Sequence, residues 1–176
     1  MAATAHATWL SRHAAHLALL GVPTALIGAI GLRADLQERL RRRSPARRRG
    51  RMLVLFACLC SLGAASVHAV VCPQHFDEAT IYGLFFLCAA SVQVAWAVWT
   101  WLRPSRWLLV SGAVGNALVV ALWAFTRTSG VPLGPGRGEV EATGALDMFA
   151  TTFEIGLIVC AVVALRPSFQ RVGRPV

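Results

Sequence analysis

Lysine is missing from the 176-residue chain, and Asp and Glu together number only eight. Charged side chains make up 14% of the total, against roughly 25% in an ordinary soluble domain, and mean hydropathy is +0.60; this balance argues against a water-soluble globule. Period-two alternation of apolar and polar residues is absent as well, which argues against a transmembrane barrel. Cys-x-x-Cys does not occur, so the dithiol of a thiol oxidoreductase is lacking. Four of the five cysteines (Cys58, Cys60, Cys88 and Cys160) lie inside apolar stretches, where a thiol behaves as a small apolar group, so there is no disulfide framework. No serine–histidine–acid order with a nucleophile elbow is visible. The glycines of residues 127–145 lack both the Gly-Lys-Ser/Thr ending and the preceding strand of a phosphate cradle.

What the chain does have is long apolar runs. Five stretches approach the ~20 residues that cross a hydrocarbon core of about 30 Å: 14–32, 52–71, 81–102, 107–126 and 146–165. Backbone polar groups in lipid must find partners within their own segment, so each stretch reads as an α-helix. The expected fold is therefore a single all-α domain, an integral membrane bundle of five transmembrane helices. Gly28, Gly31, Gly63, Ala64, Gly112 and Gly115 would let helices approach closely, and Pro23 should kink the first.

Orientation follows from the arginines, because positive flanks stay on the cytoplasmic side. Nine of the seventeen lie between Arg33 and Arg51. Placing that connection inside also places Arg103, Arg106 and the tail inside, which leaves Arg12, Arg127 and Arg137 outside. The N-terminus is expected outside and the C-terminus in the cytoplasm. The first stretch has the look of a secretory signal, but no small-residue cleavage site precedes the arginine block, so it reads as a retained helix. The arginine-rich connection is expected to attract anionic headgroups at about 1 kcal/mol per Arg, rather than nucleic acid. Its residues 34–43 have the makings of a short interfacial helix stopped at Ser44-Pro45. Trp9, Trp101, Trp107 and Tyr82 fall at span ends, where aromatic rings anchor at the headgroup level.

With this topology all five histidines, His6, His13, His16, His68 and His75, fall at the outer side. The densest group is His68, Cys72, His75 and Glu78, with His16 available from the first span. Pro73 is expected to end the helix near Cys72. Imidazole, thiolate and carboxylate together suit a transition metal: Cu, Zn or Fe. Haem is disfavoured, because paired histidines within the bundle core are lacking. The competing reading makes Asp77 an N-cap for the third span and Glu78 a first-turn acid facing the helix dipole.

Glu154 stands alone near the bilayer centre, about 12 Å below the outer boundary at 1.5 Å per residue. A carboxylate at that depth should face the bundle interior and be protonated, paired or metal-bound. Asp147, seven residues earlier on the same helical face, extends a polar stripe to the surface, and Asn116 and Gln93 are candidates to bond into it. Residues 127–145 form a long glycine- and proline-rich outer loop of the kind that serves as a lid or binding loop, and Arg127 beside it is a candidate partner for Glu78, Asp147 or an anionic ligand.

The run His75-Phe-Asp-Glu, followed by Tyr-Gly-Leu-Phe-Phe, and the run Arg127-Thr-Ser-Gly-Val-Pro-Leu-Gly-Pro resemble motifs of small multi-spanning membrane proteins of uncharacterised function in high-GC bacteria. The resemblance covers residues 67–154. It implies a bacterial cytoplasmic membrane location and groups the two outer loops, and it carries no activity, cofactor or catalytic residue.

The leading expectation is an outward-facing metal site of His68, Cys72, His75, Glu78 and His16 that handles a metal or acts on a small or lipid-like substrate. Glu154, Asp147 and Arg127 would carry the proton and polar chemistry. Two other classes stand beside it: a proton-coupled carrier titrating Glu154, and an accessory subunit or assembly factor in a homo-oligomer or larger membrane complex. The orientation is checked directly. A reporter fused after Val176 should signal from the cytoplasm, and a signal from the opposite side overturns the arginine-based topology.

Overall fold

The computed structural model describes residues 45–166, all within one compact unit that begins at Arg42. The expected first span 14–32, the interfacial helix 34–43, and His6, His13 and His16 lie outside the described residues. Four helices make up the rest: α1 (Pro45–Glu78), α2 (Thr80–Leu102), α3 (Arg106–Thr128) and α4 (Ala145–Ala164). Each is long and apolar enough to cross a membrane, and no strand occurs among the described residues beyond a single isolated bridge in the loop after α3.

The last three helices begin one residue before the apolar stretches predict. Ser105 caps α3, its hydroxyl accepting the Leu108 amide at 3.2 Å, and so satisfies one of the unpaired donors of the first turn. Asp147 does the same for α4 by accepting the Gly144 amide at 2.9 Å, where its charge also meets the positive end of the helix dipole.

α1 departs from expectation at both ends. Pro45, read from sequence as a stop, is its first residue, where a missing N–H costs nothing because that donor has no intrahelical partner. Pro73, expected to end the helix near Cys72, lies inside it, and the helix continues to Glu78. Proline at this point deprives a single carbonyl of its partner. The final turn is held by other contacts: His75 to Glu78 at 2.9 Å, the Cys72 thiol to the Gly83 carbonyl at 3.4 Å, and the His75 ring stacked on Phe86 of α2. Asp77 consequently belongs to α1 and does not cap α2, whose N-cap is Ala79 without a side-chain bond.

α1 packs along both α2 and α4, α4 packs along α3, and α2 meets α3 sparingly, through Trp96 and Gln93. The buried face of α1 is built from small side chains, Ala57, Cys58, Ala64 and Ala65 among them. Small residues let backbones approach where no hydrophobic driving force distinguishes a helix from lipid. Large apolar side chains face outward: Val92, Leu118, Trp99 and Phe149 are all at least 60% exposed, the inverse of a soluble bundle. At the far end from the α3–α4 loop, the Arg51 guanidinium lies 5.9 Å from the Trp101 ring centre.

Gly83 shows how tightly α1 and α2 fit. A Cβ placed there would lie 2.1 Å from the Phe76 ring, whereas one at Gly115 would meet nothing within 4 Å among the described residues. Gly83→Val should therefore destabilise the bundle by about 1–3 kcal/mol, the usual cost of overpacking, while Gly115→Val should leave the Tm in detergent unchanged. Equal Tm values for the two variants would contradict the packing described.

Candidate functional site

His68 and Glu154 meet inside the bundle. His68 stands ten residues before the end of α1 and Glu154 nine residues after the start of α4. At 1.5 Å per residue, antiparallel helices bring both to about 14 Å below the end that carries the α3–α4 loop. Nε2 of His68 lies 3.1 Å from Oε1 of Glu154, with His68 4% and Glu154 1% exposed. The other imidazole nitrogen, Nδ1, is buried with no partner among the described residues. Whichever group carries the shared proton, that nitrogen is left free to accept or donate one further hydrogen bond.

This pair forms part of the wall of a cavity of about 550 Å³. Val67, Val71, Phe86, Val119, Leu122 and Ala150 supply much of its apolar surface. Thr151 joins Asp147 and Glu154 on the α4 wall, its offsets of four and three residues putting all three on one helical face.

At the mouth, Arg127 is held by two carboxylates. One Nη bonds Glu141 and also the Thr126 hydroxyl at 2.7 Å; the other bonds Asp147 at 2.7 Å. Its guanidinium carbon lies 5.7 Å from the Trp123 ring centre, one helical turn earlier on α3. His75 and Glu78, paired with each other, also line the cavity.

The α3–α4 loop folds over this mouth in a fixed form. Val131 donates to Glu139 and accepts from Gly138, each at 2.9 Å. Gly130 makes the closure possible: its φ of 88° is left-handed, and a Cβ there would lie 2.6 Å from the Gly138 backbone. Tyr82 of α2 pins the loop, its hydroxyl donating to the Leu133 carbonyl at 2.9 Å and accepting the Gly136 amide at 3.0 Å.

The sequence-derived cluster of His68, Cys72, His75 and Glu78 is thus divided. His68 turns to Glu154, His75 to Glu78, and Cys72 to the Gly83 carbonyl. Continuous helix through Pro73 is the reason: seven residues separate His68 from His75 by about 10.5 Å along the axis, whereas donors to one ion sit ~2 Å from it. Phe86 touches both imidazoles, 4.1 Å from the His75 ring centre and 5.6 Å from that of His68. Among the described residues no three His, Cys, Asp or Glu side chains are grouped to hold a metal.

Arg127 does meet Asp147, one of its three candidate partners, and not Glu78; its second carboxylate, Glu141, was not foreseen. Asn116 and Gln93 bond each other at 3.2 Å, joined by Ser61 on the Gln93 carbonyl, instead of extending the Glu154 stripe. Sequence reasoning missed Trp123 and Thr151, although helical spacing marks both: Thr151 completes the Asp147–Glu154 face and Trp123 precedes Arg127 by one turn. Tyr82, read as a headgroup anchor, is the loop's pin. Compared with known protein families, with curated proteins and with solved structures, the chain matches none.

Tyr82→Phe removes both hydroxyl bonds while keeping the ring. Expected is a local loosening of about 1–3 kcal/mol, read as faster amide exchange at Gly136 with helix protection unchanged. Unaltered exchange at Gly136 would show that the loop does not depend on this pin.

Proposed function

We propose that the chain is a multi-pass protein of the bacterial cytoplasmic membrane that binds a small, mainly apolar molecule in the cavity under the α3–α4 loop and exchanges a proton with it through His68 and Glu154. The buried His68–Glu154 pair at the cavity wall carries this reading. A carboxylate at such depth is expensive, and intramembrane ionisable residues of this kind mark ligand or proton pathways. Cavity size and lining suit a compact ligand with an apolar body. In the same reading the arginine distribution sets the loop end outside and the C-terminus inside, residues 14–32 supply a fifth span, and the arginine-rich connection meets anionic headgroups.

The chemistry available is acid–base chemistry. Glu154 orients the imidazole, and Nδ1 is the ring nitrogen left for a ligand. Thr151 adds a hydroxyl on the same wall. Arg127, already bound by Glu141 and Asp147, braces the rim and the loop. A metal-handling role draws less support, since the described donors are shared out in separate pairs.

Glu154→Ala should cost about 3–5 kcal/mol, because it strands a buried imidazole, whereas Glu154→Gln keeps a hydrogen-bonding partner and should fold. In the full chain, labelled with ¹⁵N-histidine, saturable binding of an apolar naphthylamine probe should shift the His68 Nδ1 resonance. Glu154→Gln should retain probe binding and lose the protonation change. Absence of saturable binding, or an Nδ1 signal indifferent to the probe, would sink the proposal.

A further inference from the structure

Two other buried polar atoms of cavity-lining residues lack a partner among the described side chains and backbone: Nε1 of Trp123 and Nε of Arg127. Both are obligate donors, since neither an indole nor a guanidinium nitrogen can accept a hydrogen bond. They are neighbours, the Arg127 guanidinium lying over the Trp123 ring. An unpaired buried donor is costly, so a molecule that answers them must bring acceptor oxygens.

Charge narrows the class further. The Arg127 cation faces both Glu141 and Asp147, leaving that side of the rim with an excess of one negative charge. The pairs His68–Glu154 and His75–Glu78 each add none while they hold one shared proton, on either partner, and add a negative charge when they hold none. A carboxylate or phosphate ligand would therefore meet like charge in a low-dielectric site. A cation would find the field favourable but would leave both donors unanswered. The aromatic rings of Phe85, Phe86 and Trp123 offer flat apolar surface beside these groups.

Resting on the cavity reading above, we infer that the ligand is a neutral, carbonyl-bearing apolar molecule, its oxygens taken by the Trp123 and Arg127 donors and by His68. A flat ring with ring carbonyls, as in quinones, meets every requirement. The inference concerns binding alone and assigns no electron transfer.

Four chain-matched probes decide it on the full-length protein in nanodiscs: decylubiquinone, decylbenzene, decanoate and decyltrimethylammonium. The expected result is a saturable rise in Tm with decylubiquinone, a weaker one with decylbenzene, and none with the two ions. Trp123→Phe, which keeps the ring and removes the donor, should weaken decylubiquinone roughly five- to tenfold and leave decylbenzene unchanged, the effect of one lost hydrogen bond. Decanoate or the ammonium binding as tightly as decylubiquinone overturns the neutral-carbonyl assignment while the cavity reading stands. Equal affinity for decylubiquinone and decylbenzene overturns it likewise, by showing that the donors are not used. If no probe binds, the cavity reading falls with it.

Discussion

Burying a carboxylate and an imidazole between α1 and α4 is the constraint to which much of this bundle answers. A charged residue at the centre of a membrane helix costs about 2.5–3.5 kcal/mol by insertion measurements, and an interhelical polar contact returns on average only about 0.6 kcal/mol. On those figures a charged His68–Glu154 pair inside a membrane would not offset its own burial. The surrounding packing has to offset the difference, and the composition of the interface shows how. Ala64 and Ala65 on α1 are at most 1% exposed, Gly63 lies under the Phe153 ring, and Gly156 faces the Cys60 sulphur. Backbones brought this close gain the dispersion contacts on which helix association in lipid depends.

The interface with α2 explains the reach of α1. Stopping at Val71 would leave the turn carrying Cys72, His75 and Phe76 without a framework, and with it the stack on Phe86 and the ring that covers Gly83. The extra turns raise α1 above the cavity and form one side of its rim. The loop supplies the cover, pinned to α2 through Tyr82 and tied to the end of α3 by the Glu141 amide on the Thr126 carbonyl. Helix length, rim and cover follow from one another.

Much of this was legible in the residues, and what was not has a physical cause. Apolar runs marked α2, α3 and α4 to within a residue at their starts, because hydropathy changes abruptly at Thr80, Arg106 and Ala145. α1 outruns its apolar stretch at both ends because hydropathy reports where lipid-compatible residues end and not where the helix ends, and because Pro45 begins the helix and Pro73 leaves it unbroken. Glu154 stood out, since a lone mid-span carboxylate admits few explanations. Its partner did not, because pairing two helices requires their register, which no single helix encodes. For the metal grouping, closeness in sequence does not become closeness in space among its described members, because the helix sets His68 and His75 about two turns apart.

Separation of those histidines gives the site its division of labour. The rim groups, His75 with Glu78 and Arg127 with Glu141 and Asp147, are partly exposed and paired among themselves, so they can shape and screen an entrance without demanding a ligand. The inner groups have the reverse character: His68 is nearly inaccessible, has one nitrogen satisfied and the other idle, and shares its cavity with the unanswered Trp123 donor. In a surface site water would fill such vacancies at little cost. In a cavity whose surface is mostly apolar, a ligand that satisfies these atoms would release correspondingly more free energy. On the proposed reading, polar atoms left open in apolar surroundings would make the inner wall selective for hydrogen-bonding pattern, and the carboxylate-rich rim would make the entrance selective for charge.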